Sequence, residues 1–171
     1  NNGMTKPAFK RFENNKYIPW DVYDYGFKAN LSDINASILE EQVINYAETA
    51  KTKKKIFKEY KQALSPIKQI SIPVENKNTN RDYYLFPIGV KSNFRNKLIS
   101  YLLENKIFVT VNFRSITDLN YYKKKYKVFS CKESKKWGEE TLSLPFHSKI
   151  TKNEIKIVSK KIQRFFSKTI K

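Results

Sequence analysis

The stretch that begins at Thr151 constrains the fold more than any other. Thr151 followed three residues later by Glu154 forms a capping box, and Ile155, Val158, Ile162 and Phe165 then run as an apolar stripe down one side of the helix it opens. Such a stripe has to lie on an apolar surface. Residues 83–90 and 142–146 are short apolar runs of strand length, and Ile70, Ile72 and Val74 alternate with polar residues as a half-buried strand does. The spacing therefore predicts a sheet for that helix to cover, with the polar loop 75–82 between two of its strands. Pro87 has no amide hydrogen to donate, which places it at an edge or a bulge.

Upstream, Ser32 is suited to cap a helix, Asp33 suits its positive end, and Ile34 and Ile38 share a face. Ile56, Phe57, Tyr60 and Leu64 repeat at helical spacing before Pro66 stops the run, with Lys51 to Lys55 on or around the polar face. The span 32–64 is too long for one average helix, so a break is expected near residues 45–52. Ser92 is expected to cap a helix carrying Phe94, Leu98, Tyr101 and Leu102 that ends near Asn105, residues 107–113 are strand-like, and residues 137–142 suggest a short helix. Residues 1–31, broken by Gly3, Pro7, Pro19 and Gly26, form a loop-rich segment with one helical turn near 8–12. This order predicts an α/β fold in which a small sheet is covered by helices, in two layers.

Charge narrows the function classes. The chain carries 34 basic against 16 acidic residues, a net charge of +18, which brings nucleic acid and anionic ligands forward. Only five of the basic residues are arginine, the side chain suited to bidentate reading of phosphates and base edges, so a solvated lysine surface is favoured over a nucleic-acid face. Tyr121, Tyr122 and Tyr126 among the lysines of residues 123–127 suit base stacking. The favoured alternative is a short helix whose tyrosines pack inward. One histidine, His147, and one cysteine, Cys131, cannot furnish a zinc site, and four glycines cannot build a phosphate-binding loop. No apolar run approaches the ~20 residues of a bilayer span, and residues 1–7 lack a signal-peptide core. A cytoplasmic protein without membrane association is expected. A first residue that is Asn1 instead of Met suggests a fragment or a processed chain.

Three blocks carry a resemblance. The first is Asn1-Asn2-Gly3-Met4-Thr5-Lys6 with the later run Gly26-Phe27-Lys28-Ala29-Asn30-Leu31-Ser32-Asp33-Ile34-Asn35-Ala36. The second runs from Ile107 to Tyr122, and the third is Leu142-Ser143-Leu144-Pro145-Phe146-His147 followed by Thr151 and Glu154. Together, in this order, they resemble the DegT/DnrJ/StrS family of fold-type I pyridoxal phosphate (PLP) enzymes, most of which aminate nucleotide-linked keto-sugars. The resemblance covers essentially the whole chain. It implies the C-terminal portion of such an aminotransferase, with residues 1–31 a remnant of the large PLP-carrying domain and residues 32–171 the small C-terminal domain.

It also implies an incomplete enzyme. In the family the Schiff-base lysine and the carboxylate that pairs with the cofactor's ring nitrogen lie upstream of the Asn-Gly-Met-Thr turn, and none of the 29 lysines here has the context of that lysine. No catalytic residue is therefore expected in the chain, and it should be inactive alone. What the resemblance assigns is secondary. Lys28 or Asn30 would donate to the cofactor phosphate across a dimer interface, and Asn112 and Arg114 would border the sugar nucleotide. The partner would be a complementary N-terminal half or the second subunit of a homodimer. Departures at Asn2, Phe108, Val109, Asn112 and Ser115 put the substrate class in doubt. Two alternatives from other classes stand beside this reading: a basic nucleic-acid-binding module, and a truncated product without function.

Overall fold

In a computed structural model of the chain, residues 12–13, 16–17, 19, 21–22, 24–75, 78, 81–126 and 131–169 are described. The chain divides into two compact units, Asn1–Asn45 and Tyr46–Lys171. The helical turn expected near residues 8–12 lies almost entirely outside the described residues.

In the first unit a two-stranded antiparallel ladder pairs β1 (Phe12–Glu13) with β2 (Lys16–Tyr17). Residues 25–32 have no regular secondary structure and lead into α1 (Asp33–Ile44). Ser32 caps α1 as expected: its Oγ accepts from the Asn35 amide at 3.3 Å. The helix ends at Asn45, whose backbone and side-chain amides both turn back to Glu41 O. The expected break in the span 32–64 thus falls at Asn45.

The second unit begins with α2 (Tyr46–Leu64) and continues through β3 (Ile70–Ser71), β4 (Phe86–Val90), α3 (Ser92–Glu104), α4 (Asn120–Lys125), α5 (Lys132–Glu140), β5 (Thr141–Leu144) and α6 (Lys152–Thr169). The sheet order is β3-β4-β5, antiparallel throughout. Phe86 pairs with Leu144 and Ile88 with Leu142, so alternate residues of both strands present one apolar face. Phe57 and Tyr60 of α2 lie on that face, each with its ring centroid 4.8 Å from that of Phe86. Leu98 and Leu102 of α3 and Ile155, Val158, Ile162, Phe165 and Phe166 of α6 complete the core. Each such buried side chain contributes about 1.5–3 kcal/mol, which is why the stripe after the capping box dictates the architecture. This mixed helix and small-sheet fold matches the expected class.

Several local expectations are corrected. Val74 is exposed and β3 ends at Ser71, because Pro73 offers no amide for a longer ladder. Pro87 lies in the middle strand, not at an edge. It is tolerated because the two residues of β3 pair only with Gly89 and Val90, leaving Pro87 opposite Ser143 alone. Residues 107–113 form no strand, only a bridge between Thr110 and Ser143. Ser92 is the first helical residue, not the cap: the cap position is Lys91, which makes no side-chain capping bond. The short helix expected at 137–142 is α5, which starts earlier and yields to β5 at Thr141. The tyrosines of α4 do not pack inward. Tyr121 and Tyr126 are exposed, and Tyr122 packs against both of them.

Candidate functional site

Two places hold the residues singled out from sequence, one in each unit. In the first unit, Lys28 and Asn30 lie in the exposed segment that precedes α1. A lysine ammonium and a side-chain amide are both donors, so the pair suits a phosphate in charge and hydrogen-bonding sense. Their fit to PLP goes no further than that anion.

In the second unit, Asn112 and Arg114 share one loop, and the fold secures that loop at both ends. At its start, Thr110 and Ser143 exchange backbone hydrogen bonds of 3.3 and 2.7 Å, which tie the loop to β5. The Thr110 hydroxyl then donates to Asn112 Oδ1 at 2.7 Å and leaves the amide nitrogen of Asn112 for another acceptor. At its far end Ser115 is buried, and its hydroxyl is bonded to Thr117 Oγ1 at 2.7 Å and accepts from Ser134 of α5 at 3.1 Å. Arg114, between these anchors, is exposed. The peptide between Asn112 and Phe113 is cis.

Gly138 explains how α5 comes so close. A Cβ at that position would sit 2.8 Å from the Ser115 amide nitrogen and 3.2 Å from both Arg114 Cα and Phe113 O. All three are backbone atoms of the loop, so only glycine allows this approach. On the same helix, Glu139 O accepts from Arg95 Nε at 2.8 Å, which fastens α5 to α3. Sequence reasoning missed Ser115 as an anchor and missed Ser134 and Gly138 altogether. The available signal was a glycine in an otherwise helical stretch, where it costs about 1 kcal/mol and usually marks close packing.

Beyond the loop, Lys106, Phe108, Pro145, His147 and Glu154 line a cavity of about 290 Å³. Its carboxylate is already engaged. Glu154 Oε2 accepts from the Thr151 amide at 2.7 Å and the Thr151 hydroxyl at 2.8 Å, and these bonds, with a smaller contribution from the positive charge of His147, hold its carboxyl below the ordinary range. Glu154 therefore serves the helix cap. Tyr60 donates to Pro145 O at 3.0 Å, and burial, reinforced by Glu154, pushes its phenol well above the ordinary range. It too is a structural donor. Among the described residues no helix is long and apolar enough to cross a membrane.

The sequence profile of the DegT/DnrJ/EryC1/StrS aminotransferase family matches residues 1–163. The spore coat polysaccharide biosynthesis protein SpsC of Bacillus subtilis is 24% identical over 90% of the chain, which corresponds to 41% of SpsC. Among solved structures, the PMP-form of the sugar aminotransferase Spr1654 from Streptococcus pneumoniae superposes with a TM-score of 0.80 at 22% identity, over 98% of this chain and 43% of that one. Helicobacter pylori PseC, an aminotransferase of pseudoaminic acid biosynthesis, gives a TM-score of 0.80 at 15% identity, over 98% and 44%. The chain spans less than half the length of the curated relatives it matches. The three sequence blocks, the fold and the family match agree: the chain belongs to the DegT/DnrJ/EryC1/StrS aminotransferases, a PLP-dependent family, of which it represents a portion.

Proposed function

We propose that this chain is the C-terminal portion of a PLP-dependent aminotransferase acting on a nucleotide-linked keto-sugar in amino-sugar or polysaccharide biosynthesis. It is inactive by itself, and a polypeptide bearing the Schiff-base lysine completes it. The observation that carries the reading is the secured loop of Asn112 and Arg114. A substrate with a diphosphate needs a fixed cation, and this loop fixes the backbone of an exposed arginine while leaving its guanidinium to the ligand. Asn112, oriented by Thr110, has an amide nitrogen to offer a sugar hydroxyl or a phosphate oxygen. Lys28 or Asn30 would hold the cofactor phosphate of a neighbouring subunit. The cofactor, when bound, supplies the electron sink for amino transfer. Residues 1–31 belong on this reading to the large domain, and the enzyme is cytoplasmic.

Expressing the chain together with the coding region upstream of Asn1 tests this. Amination of a nucleotide-linked keto-sugar by the product, with Arg114→Ala raising KM about 10- to 100-fold, as loss of a charged hydrogen bond worth roughly 1.5–3 kcal/mol requires, supports it. A product that binds no PLP would assign the chain to a truncated gene without function.

One observation favours a second reading. Tyr121 and Tyr126 are exposed beside Lys123 and Lys124, a composition suited to single-stranded nucleic acid. Against it, Lys123 is paired with Asp118 at 3.4 Å and the Lys125 ammonium donates to Tyr121 Oη at 2.9 Å. Salt-sensitive binding of an oligonucleotide, abolished by Lys124→Glu, would revive it.

A further inference from the structure

The helices α2 and α6 pack against each other, and a groove of about 390 Å³ runs between them. That volume falls in the range of small-molecule sites. Gln163 on its wall is shared with a second hollow of about 320 Å³ that reaches Gln69 and Ser167, so the groove continues along α6. None of the large apolar side chains exposed among the described residues lines either hollow. The groove therefore lacks the composition of a face stripped of a packing neighbour.

Its lining departs from the bias of the chain. Lysine is abundant throughout, but glutamine occurs only four times, and three of the four, Gln62, Gln69 and Gln163, border this groove. Their side-chain amides make no hydrogen bond among the described residues, and an amide both donates and accepts, as a sugar hydroxyl requires of its partner. Ser159 lies on the same wall of α6, buried, and its Oγ has no hydrogen-bond partner among the described residues. Such an orphan calls for a polar molecule that completes its surroundings. Lys152, Lys156 and Lys160 follow one another along the groove, each about 6 Å further up the helix axis. Lys152 is paired with Glu59 at 3.7 Å, whereas Lys156 and Lys160 have no ion-pair partner among the described residues. Two free ammoniums suit one anionic group. Glu59 repels a second, which disfavours a long polyanion laid along the whole groove.

We propose that the groove between α2 and α6 is a binding site for a sugar monophosphate. Lys156 and Lys160 hold the phosphate, and the sugar extends towards Gln163 and Gln69, whose amides take its hydroxyls. The site shares no residue with the loop of Asn112 and Arg114, so it stands apart from the function proposed above.

The test titrates the whole chain with glucose 1-phosphate and glucose 6-phosphate and follows backbone amide shifts by NMR, with inorganic phosphate, glucose and UDP in parallel. The expected result is saturable binding of a sugar phosphate with a Kd of about 1 mM or tighter. The shifts should fall on residues 59–69 and 152–167. Free phosphate and glucose should each bind at least about 10-fold more weakly, and Lys156→Gln and Lys160→Gln should each weaken the sugar phosphate by about 10-fold, as loss of a charged hydrogen bond does. Gln163→Leu should weaken it without changing the affinity for free phosphate. Lys168→Gln, on the same helix but outside both hollows, should leave binding unchanged. All four substituted side chains are exposed, so the fold is retained. Failure of both sugar phosphates to saturate the shifts at about 10 mM overturns the site. Free phosphate binding as tightly as the sugar phosphates, or a loss in Lys168→Gln equal to that in Lys156→Gln, overturns it as well, since attraction to net charge then suffices. Tighter binding of UDP at the same residues overturns the assignment to a sugar monophosphate.

Discussion

At the scale of single residues, the polar atoms of the core divide into those that are satisfied and those that are not. Tyr60 is fully buried and its hydroxyl serves Pro145 O, joining α2 to the segment after β5. Thr141 is equally buried, but its Oγ1 has no hydrogen-bond partner among the described residues. The two should respond oppositely to loss of a hydroxyl. Tyr60→Phe is expected to destabilise by about 1–3 kcal/mol, since it strands a carbonyl, whereas Thr141→Val should be neutral or stabilising in urea unfolding. A marked loss of stability in Thr141→Val would show that its hydroxyl is engaged.

Glu154 belongs to this scale as well. Its carboxyl is held below the ordinary Glu value of 4.5 in the folded chain. A depressed acid contributes stability that is complete above its unfolded pKa and is lost as pH falls through its folded one. Glu154→Gln can keep the geometry of the capping box without the charge. The stability difference between the native chain and this variant should therefore be constant above the ordinary Glu range and shrink as pH is lowered through and below it. A difference that stays flat across that range would mean that the charge is unimportant to the cap.

Among the elements, α5 does the most to place the candidate substrate residues. Gly138→Ala sets two effects against each other: alanine favours the helix by about 1 kcal/mol, but its Cβ would collide with the Ser115 amide nitrogen at 2.8 Å. Backbone cannot yield as a flexible side chain does, so overpacking at roughly 1–3 kcal/mol prevails. Denaturant unfolding should show the loss, and Ser134→Ala, which removes one hydroxyl contact, should cost less. Stabilisation by Gly138→Ala would contradict the close approach.

The elements also show what sequence can convey. The capping box, the stripe of α6, the Ser32 cap and the break between α1 and α2 were legible because each depends on residues close in sequence. The bridge from Thr110 to Ser143 and the anchoring of Ser115 by Ser134 were not, because they depend on which distant segments meet. The tyrosines of α4 were misjudged for a related reason. Their spacing fits one helical face, but spacing does not reveal whether anything lies against that face.

At the scale of the whole molecule, a chain of net charge +18 folds a core of its own and matches an aminotransferase family over nearly its entire length, yet spans less than half of its relatives. Family membership and activity therefore separate. On the proposed function Asn112 and Arg114 serve a substrate, Lys28 or Asn30 serves a cofactor phosphate, and the covalent anchor for PLP comes from elsewhere. Amines can form Schiff bases with PLP in general, so the distinguishing property is one reactive lysine in a defined site. The most direct measurement is to incubate the purified chain with PLP, reduce with borohydride and map the products by mass spectrometry. The account predicts scattered, substoichiometric labelling over many of the 29 lysines. One stoichiometric adduct at a single lysine would contradict it.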